Sequence, residues 1–377
     1  MINLHQANVI LVTYPEDFAI EEAKSLVEST PDYKVVRVFT QRYLNRAKYG
    51  MGFGKAEEIK QFVSQAGNID KIIVDEHLGA KQIFNLEELI KIPIIDRERL
   101  ILDIFYSRAT TNESKLQIQL AEIQYKMPRV RENAKLMSKS NERVGKGGMG
   151  EYIVDVQFRD LKRQMSFVKE KLKDASLKRH EYRKQRLRKG MFIVSLVGYT
   201  SSGKTTLFNL LTKENKETSA NLFTTLSTTT RSLENSSNTG NKHDVDVLVV
   251  DTVGFISRLP HYMIDAFKST LEESLEADLI FLLIDCSENL EDIGKKYYSC
   301  WEVLKELKID KSKLHIVLTK VETTKSDQLQ EIMKYMDDSI DKIAISSKTG
   351  FGIHKLRNLI ALKRDKLKDE HSKLTPS

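Results

Sequence analysis

The sequence predicts an α/β protein: an N-terminal parallel α/β domain with a long helical hairpin, followed by a second parallel α/β domain. Three observations carry this prediction. Short apolar runs alternate with amphipathic stretches up to residue 105, two helical stripes follow, and the strand-helix alternation returns from Met191 onward. In the first region the strand candidates are Val9–Thr13, Val35–Phe39, Ile72–Val74 and Ile92–Ile95, which place an α/β domain at 1–105. The run Met51-Gly-Phe-Gly-Lys55 lacks phosphate-loop spacing and reads as a turn.

Residues 106–190 read as an antiparallel helical hairpin. Leu116, Leu120, Ile123, Met127 and Val130 form one stripe, and Phe158, Leu161, Met165, Val168, Leu172 and Ala175 form a second. Between them, residues 143–150 contain four glycines beside Arg143 and Lys146. Glycine costs about 1 kcal/mol per helical position relative to alanine, so a basic loop tip suited to ligand contact is expected there. From 191 to 362 the strand candidates are Phe192–Val197, Val245–Val250, Leu279–Ile284, Leu314–Leu318 and Lys342–Ser346, the pattern of a mostly parallel sheet covered by helices. Glu234–Asp244 reads as a loose hairpin or loop, and 363–377 as a basic, frayed tail.

The chain has 377 residues, 40% hydrophobic and 30% charged, enough to bury more than one core without disulfides. No apolar run is long enough to span a bilayer, and the N-terminus lacks the features of a signal peptide, so a cytoplasmic location is expected. Cys286 and Cys300 form no CxxC pair, which disfavours zinc and redox chemistry. Of the net charge of +7, most of the surplus lies between Arg159 and Lys189. Taken alone, that run fits either a solvated helix face or a polyanion-binding surface.

Chemistry concentrates in the second α/β region. Gly198-Tyr199-Thr200-Ser201-Ser202-Gly203-Lys204-Thr205-Thr206 lies between a strand and a helix. Its glycines let successive N–H groups wrap phosphates, Lys204 is placed to bridge the β- and γ-phosphates, and Thr205 offers a hydroxyl to Mg²⁺. Asp251-Thr252-Val253-Gly254 follows the next long apolar strand, where a carboxylate orients metal-bound water and the Gly254 N–H senses a γ-phosphate. Lys204 and Gly254 are therefore the candidate catalytic residues. Between the two motifs, Phe223-Thr224-Thr225-Leu226-Ser227 opens a polar run in which one threonine, not identified by spacing, joins the metal shell. Thr319-Lys320-Val321-Glu322 puts a carboxylate where a guanine reader needs one, and Ser346-Ser347-Lys348 follows the next strand. Two ordinary strand-end loops are the alternative reading of these last segments.

These motifs resemble the HflX group of ribosome-associated GTPases, a translation-factor-related class. The segment Gly198 to Asn209 is similar to the family's GYTNAGKSTLFN, Phe223 to Ser227 to FATLD, and Asp251 to Ile256 to DTVGFI. Upstream, Asp96–Arg99 with Leu100–Phe105, Lys115–Ala121, and Gly148-Met-Gly-Glu151 resemble further family segments. The resemblance implies a Ras-like P-loop GTPase domain at 191–362 with GTP as substrate and Mg²⁺ as cofactor. It makes Thr225 the metal-sensing threonine beside Thr205, with Asp251 acting through water. It also implies a monomer, without a membrane partner, that binds the large ribosomal subunit and ribosomal RNA in ribosome splitting, rescue or assembly. Polyanion binding then becomes the favoured reading of the basic run.

Two departures refine these expectations. The usual NKxD is Thr319-Lys-Val-Glu322 here, which loses an asparagine amide and moves the carboxylate out by one methylene. Phe255 stands where Ras-like enzymes place a water-orienting glutamine, a departure shared with the family, so slow hydrolysis stimulated by the ribosome is expected. The rival readings are a nucleotide-gated RNA-binding protein not dedicated to the ribosome, and a purine-promiscuous NTPase.

Overall fold

β-branched and leucine-rich runs bounded by turn residues form strands at nearly every predicted place. A computed structural model describes residues 6–46, 48–140, 149–188, 190–215, 222–223, 229–234, 247–267 and 276–374. The chain divides into two compact units, Met1–Lys173 and Asp174–Ser377.

In the first unit, β1 (Ala7–Thr13), β2 (Tyr33–Thr40), β3 (Lys71–Val74) and β4 (Ile94–Asp96) form a parallel four-stranded sheet in the order β2-β1-β3-β4. Helices α1 (Asp17–Glu28), α2 (Phe53–Ala66), α3 (Ala80–Ile90) and α4 (Arg97–Arg108) alternate with the strands. The run Met51–Lys55 is a turn leading into α2, with Gly52 as its N-cap and Met51 buried. A core centred on Ile10, Val12, Ile59, Ile72 and Leu86 holds the unit together, and each such side chain contributes about 1.5–3 kcal/mol through removal from water.

Two long helices, α5 (Asn112–Ser140) and α6 (Met149–Arg188), form the helical hairpin. Arg131 on α5 stacks 3.9 Å from the centre of the Phe158 ring on α6. The α6 stripe lies where the spacing predicts, with Val168 fully buried and Leu161, Met165 and Leu172 half-buried. On α5 the stripe is buried at Leu120 and Ile123 and half-buried at Leu116, Met127 and Val130. The buried face is wider than the stripe, taking in Gln117, Ile118, Ala121 and Tyr125, because this helix packs against both α3 and α4. Most of the glycine-rich tip lies outside the described residues, and Met149 and Gly150 already belong to α6.

The second unit contains a six-stranded sheet in the order β10-β9-β8-β5-β7-β6, comprising β5 (Phe192–Gly198), β6 (Thr229–Ser232), β7 (Val247–Asp251), β8 (Leu279–Asp285), β9 (Leu314–Thr319) and β10 (Lys342–Ala344). All pairings are parallel except that of β6, an edge strand pairing antiparallel with β7 that the sequence reading did not foresee. Helix α7 (Lys204–Thr212) packs Leu207, Phe208 and Leu211 into a core with Phe281, Leu283 and Val317. The closing helix runs from Ile353 through Leu374, so residues 363–374 continue a helix where a frayed tail was expected. No helix among the described residues is long and apolar enough to cross a membrane.

Candidate functional site

The strand order turns at β5: the chain builds β6 and β7 on one side of it and β8 to β10 on the other. Ligands of open parallel sheets bind beyond the carboxyl end of such a strand. Here β5 ends at Gly198, the first residue of the phosphate-loop motif. Gly198 has φ +151°, and a Cβ there would lie 2.5 Å from the Leu283 carbonyl oxygen, so close packing on β8 demands glycine.

Beyond Gly198 the loop closes on itself. Tyr199, Thr200 and Ser202 are buried, Ser201 is exposed with φ +61°, and Gly203 is the N-cap of α7. Lys204 is buried and its Nζ donates to the carbonyls of Tyr199 at 2.6 Å and Gly198 at 3.0 Å. Burial pulls the Lys204 ammonium down to about 8, with the negative charge of Asp251 acting in the opposite direction. The hydroxyls of Thr200 and Ser202 are buried with no hydrogen-bond partner. A buried hydroxyl left unpaired costs about 1–3 kcal/mol, so these two mark where a polar ligand would be rewarded. Thr206 is exposed on the first turn of α7.

The second motif faces the first. The Thr205 Oγ1 donates to Asp251 Oδ2 at 3.2 Å, joining a hydroxyl and a carboxylate, the hard oxygen donors that suit Mg²⁺. Thr252 is buried and donates from its hydroxyl to the Leu196 carbonyl at 2.7 Å, anchoring the turn after β7, and Val253 is buried beside it. A Cβ on Gly254 would come within 2.7 Å of Thr200 Cγ2 and 3.1 Å of Lys204 Nζ, so this position touches the phosphate loop directly. The next residue stitches the motifs together: the Phe255 N–H donates to the Gly198 carbonyl at 3.0 Å, and the Thr200 N–H donates to the Phe255 carbonyl at 2.8 Å. The Phe255 ring is buried.

The base-reading candidates emerge from β9 and β10, which are in parallel register and end at the same edge. Thr319 is buried, and its hydroxyl lies 2.9 Å from the Ser202 carbonyl and 3.1 Å from the Ile284 carbonyl, so it braces the phosphate loop against β8. Lys320, at φ +57°, forms an ion pair with Asp285 at the end of β8. Val321 and Glu322 lie in a short 3-10 turn, with Glu322 exposed. The Val321 N–H donates to the Ile345 carbonyl at 3.4 Å, which joins this turn to the loop of Ser346, Ser347 and Lys348. Ser346 is fully buried and accepts the Thr349 N–H at 3.0 Å, Ser347 is half-buried and Lys348 is exposed.

The structure thus gathers four of the five predicted segments at one edge. Of the fifth, Phe223 is buried with φ +57°, while Thr224, Thr225, Leu226 and Ser227 lie outside the described residues. Sequence reading missed Asp285, although a carboxylate closing an apolar strand is a visible signal, and it missed the Thr319 brace, which spans 117 positions. Cys286 and Cys300 are buried free thiols, pushed up to about 12 by burial, in keeping with a structural role.

Comparison with known proteins bears on most of the chain. Family models match described as GTP-binding GTPase N-terminal over residues 17–106, GTP-binding GTPase Middle Region over 108–186 and 50S ribosome-binding GTPase over 193–320. The chain is 38% identical to GTPase HflX of Methanocaldococcus jannaschii, covering 91% of this chain and 82% of that protein. It is 34% identical to GTPase HflX of Thermofilum pendens, covering 90% and 78%. A GTP-binding protein from Sulfolobus solfataricus, crystallised with GDP, shares the fold at a TM-score of 0.50 and 24% identity, covering 96% of this chain and 100% of that one.

Proposed function

The chain belongs to the HflX family of GTPases, and we propose on that footing that it binds GTP at the carboxyl edge of its second sheet, hydrolyses it to GDP and phosphate, and associates with the large ribosomal subunit. The observation that carries the nucleotide reading is the phosphate loop itself: a buried Lys204 held by loop carbonyls beside two buried, unpartnered hydroxyls. A triphosphate supplies the negative charge and the acceptors this arrangement lacks.

In this reading Lys204 and the loop N–H groups hold the phosphates and stabilise charge developing on the γ-phosphoryl oxygens. Thr205 and Thr225 would hold Mg²⁺, with Asp251 orienting water beside it, and the ion would supply neutralising charge for the phosphates. Gly254, pressed against Thr200 and close to Lys204, senses the γ-phosphate through its N–H. Glu322 accepts from the guanine N1–H and exocyclic amine, with Ser346, Ser347 and Lys348 completing the base pocket and Thr319 holding the loop beneath it. A phenyl ring cannot orient water, so Phe255 leaves intrinsic hydrolysis slow and assigns its acceleration to the ribosome.

The ribosomal reading draws on the family description and on the basic run of α6, where Lys178 and Lys184 are exposed. It describes a cytoplasmic monomer acting on ribosomal RNA surfaces in splitting, rescue or assembly. Cosedimentation with separated ribosomal subunits, in GDP and in a non-hydrolysable GTP analogue, tests it. Comigration with the large subunit, stronger with the analogue, is expected. Failure to pellet with that subunit in either nucleotide contradicts it.

A further inference from the structure

A groove of about 1280 Å³ in the second unit lies outside the nucleotide edge. One wall is the segment from Ile256 to Ile264, and the other is the helix Leu290–Glu306 with the turn that follows it to Lys311. Ile256, Ile264 and Val303 are buried behind the groove, and its floor is the accessible apolar surface of Leu259, Trp301 and Ile309, each half-buried, with Tyr298, 64% exposed, beside them. The rim carries Arg258, Lys305, Lys308 and Lys311 against Glu302 and Glu306. Those acids are not available to all of these cations: Glu306 accepts from His261 Nδ1 at 3.0 Å, and Lys311 is paired with Asp337 at 3.2 Å. Lys305 and Lys308 form no ion pair among the described residues.

An apolar floor with a positive rim selects an occupant of complementary chemistry. We infer that this groove docks an acidic amphipathic peptide segment of a partner protein, its large apolar side chains on the floor and its carboxylates toward Lys305 and Lys308. A nucleic acid would meet the rim charge and could stack on Tyr298 and Trp301, but it would leave Leu259 and Ile309 without an apolar partner.

The groove is tied to the phosphate loop through both walls. On one side the Ser257 N–H donates to the Tyr199 hydroxyl at 2.7 Å, and on the other Lys296 Nζ lies 5.3 Å from the centre of the Tyr199 ring. Arg258, next along the wall, holds φ +52°, a conformation costly for a residue with a Cβ and found where segments switch. Nucleotide exchange at the loop therefore changes peptide affinity, and by linkage the peptide changes nucleotide affinity by the same factor. This coupling rests on the nucleotide reading proposed above, whereas the docking chemistry does not.

Trp301 is the only tryptophan in the chain, so its emission reports the groove in the full-length protein. The probe is a synthetic peptide with Leu and Phe at helical i, i+3, i+4, i+7 spacing and Asp or Glu elsewhere, and a scrambled peptide of the same composition serves as control. A saturable emission change is expected, weakened at least about tenfold in the Lys305→Glu, Lys308→Glu double variant and altered severalfold by exchanging GDP for a non-hydrolysable GTP analogue. No saturable response, equal binding by the double variant or the scrambled peptide, or an equal response to single-stranded RNA would overturn the docking proposal. Labelled-GDP binding is read on the same samples. Peptide binding unaffected by exchange in protein that does bind GDP overturns the coupling, and loss of GDP binding itself strikes the nucleotide reading while leaving the groove.

Discussion

Two parallel sheets in one chain meet the same physical problem with opposite solutions. Each has a strand-order switch point, at β1 and β3 in the first sheet and at β5 in the second, where the carboxyl ends of strands open a crevice. In the first sheet this crevice is filled by the protein's own charges. Thr13 donates to Asp75 at 2.8 Å, and Arg97, only 3% exposed, pairs with both Asp75 and Glu22. Beside them Asp96 accepts the Arg99 N–H at the start of α4, the Tyr125 hydroxyl at 3.1 Å and Arg129 at 2.6 Å. Burial still holds the Asp96 carboxyl above its usual range, with Arg129 pulling the other way. In the second sheet the crevice holds one buried lysine and two hydroxyls without partners. Charge paired with charge marks the first edge as structural, even though the Arg129 Nε there is buried without a hydrogen-bond partner, and the two open hydroxyls of the phosphate loop mark the second as a place kept for a ligand.

The contrast is broken most severely at Arg97. Removing it strands two buried carboxylates, and losing one side of a buried ion pair costs about 3–5 kcal/mol. Denaturant unfolding of Arg97→Ala is expected to show a loss of this size, with GDP affinity of the folded protein unchanged. A stability loss below about 1 kcal/mol would mean that the charges do not hold this edge together.

At the second edge the signs reverse. Lys204→Ala should lower GTP turnover by about 100- to 1000-fold, the scale for removing one preorganised donor to developing charge, while relieving the cost of burying an ammonium. Phosphate release and thermal unfolding on one preparation check both halves. Near-wild-type turnover would remove Lys204 from the mechanism.

The depressed Lys204 ammonium also gives a pH dependence of opposite sign for stability and for binding. From about 8 up to its ordinary value of 10.5 the native state sheds a proton that the unfolded chain keeps, so this group's contribution makes stability rise with pH in that window. Nucleotide binding must restore the charge, so GDP affinity should fall by up to about tenfold per unit above pH 8. Titrations with labelled GDP between about pH 7 and pH 9 should show the bend. A flat profile would mean that the ammonium is already satisfied without phosphate.

The smallest effect sharpens the base-reading side. Thr319→Val keeps the shape but removes the hydroxyl that reaches the Ser202 carbonyl, a neutral hydrogen bond worth about 0.5–1.5 kcal/mol. GDP affinity should fall by about two- to tenfold. No change by calorimetry would show that the brace is idle.

What the sequence made legible follows from the range of the interactions. Phe192–Gly198 and Leu279–Asp285 are apolar throughout most of their length and buried at every position, so both strands and their ligand-facing ends could be read from local pattern. β6 could not, because Thr229–Ser232 is polar and owes its strand state to backbone pairing with β7. On α5, contact with two helices buries Gln117, which a single-stripe reading assigns to solvent. The glycines of the site were legible as a motif, but the reason for Gly198, the approach of β8, exists only in the folded sheet. The Arg97 cluster, assembled from Glu22, Asp75 and Arg97, has no local signature at all.

The central claim, that the second edge is a guanine-nucleotide site, is tested most directly by titrating the wild-type protein with labelled GDP and labelled ADP under identical conditions. In the proposed site guanine would offer its N1–H and amine donors to Glu322 and adenine would present no matching donors, so GDP should bind at least about 100-fold more tightly than ADP. Equal affinity for the two would contradict the account and make the enzyme a general purine-nucleotide hydrolase.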